Sequence, residues 1–186
     1  MISILSLWMP IVLAAVLVFI GSSVIHRFLT YHRNDYGALP DEAGVMEALR
    51  PFGIAPGDYI MPFANGSEDM RSDAYKAKVE QGPVATLTVW PEGAVFNMGP
   101  QLAQWFAYCL LVAVFSAYVA TRTLAPGADY LAVFRLTGTV AFACYAMALP
   151  QRSIWWKQNW PATLKSMFDG FVYACLTAGA FGWLWP

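Results

Sequence analysis

Four apolar runs of about twenty residues limit this chain more than any other feature, because a helix of that length spans the ~30 Å hydrocarbon core of a bilayer. The first covers residues 2–25 and carries no charge. Its positive residues (His26, Arg27, His32, Arg33) follow the run instead of preceding it, the reverse of a cleaved signal peptide, so it reads as a retained anchor. The second covers 102–120, is interrupted only by Gln104 and Ser116, and stops at Arg122 and the breaker Leu124-Ala125-Pro126-Gly127. The third covers 130–149, carries Arg135 and stops at Pro150. The fourth covers 162–185, follows Trp160-Pro161 and carries Asp169.

The expected fold is therefore an all-α membrane protein: four transmembrane helices with a small α+β cytoplasmic insertion between helices 1 and 2. The expected divisions are 1–29 for the first helix, 30–99 for a polar cap, and 100–186 for helices 2–4. Composition agrees. Hydrophobic residues make up 58% of the chain and charged residues only 12%, against about 25% in soluble domains. The net charge of −1 supplies no field for nucleic acid, which is excluded as a partner. Cys109, Cys144 and Cys175 all lie in apolar runs, which argues against a disulfide framework.

Positive charge near the span ends sets orientation. With four crossings, the 30–100 segment and the 150–162 loop share one side. That side receives Arg27, Arg33, Arg50, Arg71, Lys76, Lys78, Arg152, Lys157 and Lys165, against Arg122 and Arg135 on the other. The cap is thus expected in the cytoplasm, with both termini outside. Trp8, Trp155, Trp156, Trp160, Trp183 and Trp185 mark the membrane boundaries.

Within the cap, Pro40-Asp41-Glu42 is a helix start, and Val45, Met46 and Leu49 repeat at helical spacing up to Gly53. Residues 58–61 read as a short strand and 72–81 as a second helix stopped by Gly82. Residues 84–90, rich in β-branched side chains between Pro83 and Pro91, read as the better strand. Two helices and two strands bury little, so the cap needs a surface to lean on: the membrane, the helices or a partner.

Ionisable residues inside spans are costly and so point to function or to a structural ion pair. Arg135 and Asp169 are the two well inside. Counted from opposite ends of their spans they sit about 10 Å apart in depth, so they meet only if Arg135 reaches inward. Lys165, four residues before Asp169 on the same face, and His26 or Arg27 at matching depth are nearer partners. His26, His32 and Asp35 form a weak candidate metal set; six residues apart, the histidines converge only if the helix ends between them. Gly170, Ala174, Ala178 and Gly182 recur every fourth residue, and Cys109, Ala113 and Ala117 form a similar stripe. Such stripes allow close helix packing, within one chain or between subunits.

No nucleotide loop, nucleophile elbow, His-Glu-x-x-His or Cys-x-x-Cys occurs in the sequence. No catalytic residue and no cofactor is expected. Several stretches together carry a resemblance: Tyr31-His32-Arg33-Asn34-Asp35-Tyr36, Gly82-Pro83-Val84, Leu124-Ala125-Pro126-Gly127 through Phe134-Arg135, Asp169-Gly170, and Phe181-Gly182-Trp183-Leu184-Trp185-Pro186. The chain resembles a family of small bacterial inner-membrane proteins of four spans. The resemblance implies a bacterial source, the cell inner membrane and the same topology, and it brings no activity. The resulting expectation is a non-catalytic accessory or scaffold subunit, or a homo-oligomer, joined through the small-residue faces. Its partners are the lipid bilayer and another membrane subunit or itself. The alternative is a small channel or transporter with an intramembrane Asp/Arg site.

Overall fold

The structure, a computed structural model, describes residues 2–186. A 3-10 turn, Ile4–Leu7, leads into α1 (Trp8–Phe28). There follow α2 (Glu42–Leu49), β1 (Gly57–Met61), α3 (Ser67–Arg71), α4 (Asp73–Gln81) and β2 (Ala85–Val89). Then come α5 (Gly99–Thr123), α6 (Tyr130–Tyr145), α7 (Pro150–Trp156) and α8 (Trp160–Trp183). The chain forms two compact units, one made of the chain up to Gly37 with Gly99–Pro186, the other of Ala38–Met98.

In the first unit, α1 packs on α5 and α8, and α6 packs on α5 and α8, so four long helices close into a ring. Three helical stretches are long and apolar enough to cross a membrane: Ile4–Phe28, Gly99–Thr123 and Tyr130–Trp156. On α1, Ile11, Ala14, Ala15, Val18, Ser22 and Ile25 are buried, at the three- and four-residue steps of one helix face. Trp8, Val12, Ile20, Val24 and Phe28 point outward.

The core has two layers. Leu7, Ile11, Ala14, Ala113, Ala117, Val133, Ala180 and Phe181 fill the end where α1 begins. Ala15, Val18, Ile25, Cys109, Val112, Ala141, Tyr145, Tyr173 and Ala174 fill the other. Lipid tails are as apolar as leucine, so close packing, more than burial from water, holds such helices together. Both small-residue stripes serve this within the chain's own bundle. A methyl group at Gly170 would lie 2.9 Å from the Ala146 Cβ, and one at Gly182 would lie 2.7 Å from the Tyr130 ring. Ala174, Ala178, Cys109, Ala113 and Ala117 are all buried.

The third run breaks earlier than expected. α6 ends at Tyr145, a turn follows, and Pro150 opens α7 instead of closing the preceding helix. Proline suits that first position, where its missing N–H would be unpaired in any case. The Ser153 and Thr163 hydroxyls, 2.6 Å apart, tie α7 to α8.

In the second unit, Asp41 caps α2 by accepting the Gly44 N–H at 3.0 Å, and Ser72 caps α4 by accepting the Tyr75 N–H at 3.1 Å. β1 and β2 pair antiparallel with Tyr59 opposite Leu87. The Thr88 hydroxyl donates to Asp58 at 2.7 Å across the ladder. α3 is an element the sequence reading did not anticipate. No described side chain of this unit is buried, and Phe52, Phe63, Trp90 and Phe96 stand exposed. The unit starts at Ala38, and residues 30–37 belong with the helices. That difference matters because those residues build the site.

Candidate functional site

α1 ends at Phe28, and the Leu29 N–H makes its last bond to the Ile25 carbonyl. The chain then turns twice, Arg33 N–H to the Thr30 carbonyl and Asp35 N–H to the His32 carbonyl, each at 3.1 Å. Because the helix stops between His26 and His32, the two imidazoles converge, with ring centroids 4.8 Å apart. α8 comes alongside and contributes Lys165 and Asp169 from one face, one turn apart.

Asp169 is the centre. Its side chain is only 4% exposed, and both oxygens are engaged. Oδ1 accepts a hydrogen bond from the Tyr31 hydroxyl, and Oδ2 lies 2.8 Å from His32 Nε2. His26 Nε2 lies 3.9 Å from the same Oδ2, on the open side, with its side chain 57% exposed. The other His32 nitrogen, Nδ1, lies 2.5 Å from Asp35 Oδ2. Lys165 Nζ then donates to Asp35 Oδ1 at 2.7 Å and to the Tyr31 carbonyl at 2.5 Å.

The expected Lys165–Asp169 contact is thus replaced. The loop after α1 delivers Asp35 and a backbone carbonyl to the ammonium, and Asp169 is left to His32 and Tyr31. Among the described residues no ion pair joins Arg135 to Asp169. Arg135 is exposed and lines a groove between α6 and α8.

The charges are mutually supporting. Burial alone pulls the His32 imidazole down, but its hydrogen bonds to Asp35 and Asp169 outweigh that and raise it. Burial alone pushes the Asp35 carboxyl up, but the hydrogen bonds from Lys165 and His32 outweigh that and lower it. Burial, then the bond to Asp169, lifts the Tyr31 phenol, which keeps it a donor. Two carboxylates against one ammonium leave one negative charge, to be met by an imidazolium or by a bound cation. Toward the bundle the site meets aromatic rings: Tyr173 lies 5.8 Å from Trp105 and 5.5 Å from Tyr145, centroid to centroid.

One donor atom from each of His26, His32 and Asp169 lies within 4.8 Å of the other two. Ligands about 2.0–2.1 Å from a tetrahedral ion stand about 3.4 Å apart. The His32–Asp169 pair at 2.8 Å is shorter and the His26–Asp169 pair at 3.9 Å longer, so the three side chains would have to shift to seat an ion. Asp35, expected as a ligand, instead holds the far nitrogen of His32, the outer partner that metal-binding histidines commonly have.

Sequence reasoning missed Tyr31 and the His32–Asp169 contact. The usable signal was two short polar patterns, Tyr31-His32-x-x-Asp35 just past the first apolar run and Lys165-x-x-x-Asp169 near the start of the last. No family model, no curated protein and no solved structure matches the chain.

Proposed function

We propose that this is a four-span membrane protein that binds a divalent transition-metal ion at one end of its helix bundle, through His26, His32 and Asp169. One observation carries the reading: three donor atoms from two separate chain segments converge, and the outer nitrogen of the central histidine is already held by a carboxylate. Two imidazoles and one carboxylate suit Zn²⁺ or Fe²⁺, and offer too few oxygens for Ca²⁺ or Mg²⁺. Bound metal would take the place of the proton shared by His32 and Asp169. Asp35, Lys165 and Tyr31 orient the two ligands.

The test is metal content after purification without chelator, followed by Zn²⁺ titration of the stripped protein. His26→Ala is the informative variant, because His26 is exposed and stands outside the His32 clamp. Weakened Zn²⁺ binding with unchanged thermal unfolding supports the site. Identical binding in wild type and variant rejects it in favour of a purely structural polar clamp.

The fourth crossing is part of the proposal. α8 has 24 residues, about 36 Å of helix, and turns Leu164, Phe168 and Phe171 outward while Asp169 faces inward. The distribution of Lys and Arg supports an inner-membrane protein with both termini outside and the cap in the cytoplasm. The resemblance noted above supports a bacterial source.

A second reading, an accessory subunit seated on another membrane polypeptide, is favoured by the second unit, none of whose described side chains is buried. Native mass spectrometry after mild extraction decides it: a co-purifying polypeptide supports the reading, and a bare monomer removes it. The small-residue stripes do not support an oligomer, since the chain's own helices already use them.

A further inference from the structure

On the opposite side of α8 from the polar site, a groove of about 340 Å³ runs between α6 and α8. Phe134, Gly138, Phe142, Phe171 and Cys175 line it, and Arg135 stands among them as its one charged residue. Arg135 lies five residues into α6, about 7.5 Å along the axis from Tyr130. Its side chain is long enough to lift the guanidinium toward the interface at that end. No side-chain partner meets it among the described residues, although a charge at this depth is costly without one. From Arg135 the groove continues inward past Gly138 to Phe142, about 10 Å of helix, entirely along apolar or small side chains apart from Thr139. The Thr139 hydroxyl is turned back onto the Arg135 carbonyl at 2.7 Å.

We infer that this groove is a binding site for an anionic phospholipid, with the phosphate on Arg135 and one acyl chain lying between α6 and α8. Charge complementarity selects the occupant. A guanidinium at the mouth of an apolar channel, at interface height, matches a molecule with an anionic head and a hydrocarbon tail. Guanidinium–phosphate pairing is directional and bidentate, which fixes the head. Gly138 gives the groove its floor, because a methyl group there would already press the Ala178 Cβ at 3.1 Å.

The test is native mass spectrometry of the full chain, delipidated and then titrated with phosphatidylglycerol or with phosphatidylcholine. Wild type should retain one phosphatidylglycerol in preference to phosphatidylcholine. Arg135→Gln should lower that retention about tenfold, the worth of one charge-assisted hydrogen bond, and Arg135→Lys should recover part of it. Cys175→Trp, which fills the channel and keeps the charge, should also lose the lipid. Equal phosphatidylglycerol binding by wild type, Arg135→Gln and Cys175→Trp overturns the proposal. So does a second polypeptide that occupies the face and is released by Arg135→Gln.

Discussion

His32 Nε2 lies 2.8 Å from Asp169 Oδ2, so a loop just past the first long helix is fastened to the last one across 137 residues of chain. The contact is both a structural clamp and two-thirds of the proposed metal set.

Asp35 touches His32 but is not among the three ligands, so it should act through orientation. Asp35→Asn is expected to weaken Zn²⁺ binding about 10–100-fold while leaving one ion per chain at saturation. Competition titration against a chromophoric chelator measures this. An unchanged affinity would show that His32 needs no outer partner.

Asp169 is buried and serves His32 and Tyr31 together. Asp169→Asn keeps the volume but removes the charge, and should destabilise the bundle by about 1–3 kcal/mol. Thermal unfolding in detergent reads the loss. Tyr31→Phe, which removes one bond to the same carboxylate, should lose less, about 0.5–1.5 kcal/mol.

The tight contact of α6 with α8 gives a paired test. Gly170→Ala would place a methyl group 2.9 Å from the Ala146 Cβ and should cost about 1–3 kcal/mol. A methyl at Gly179 meets nothing within 4 Å, and Gly179→Ala should be neutral or stabilising by up to about 1 kcal/mol through helix propensity. Equal melting temperatures for the two variants would contradict the packing described.

Topology can be read by thiol labelling. A cysteine placed at Ser67, in the exposed second unit, should resist a membrane-impermeant reagent in intact cells and react once the inner membrane is opened. One placed at Gly127, in the turn after α5, should react in both conditions. Labelling of position 67 in intact cells would reverse the proposed orientation.

Three of the apolar runs were legible as helices long and apolar enough to cross a membrane, because length and hydropathy need no tertiary information. The cap was legible in outline: residues 72–81 and 84–90 contain α4 and β2, while α3 went unseen because Ser67–Arg71 is too short to show a period. The α6–α7 break was hidden because Pro150 reads as a stop from either side, and only the surrounding backbone tells an ending from a beginning. The site was half visible. Asp169, His26 and His32 stood out as polar groups beside spans, but which of them meet depends on how α1 ends and on the neighbour α8 takes. Tyr31 stayed hidden because a tyrosine at an interface is ordinary. Lys165 was placed correctly on the face of Asp169, yet the loop offered it nearer acceptors.

The fastening of the loop to α8 also bears on how the molecule is made. Tyr31, His32 and Asp35 leave the ribosome some 130 residues before the two α8 side chains that hold them. Through most of synthesis the loop therefore carries an imidazole and a carboxylate with no counterpart from α8. His32 and Asp35 can already face each other within the loop, but Asp169 and Lys165 reach them only when the final helix docks against the first. The His32–Asp169 contact thus marks a finished chain, and one stalled before Lys165 lacks both of the α8 side chains that hold the loop.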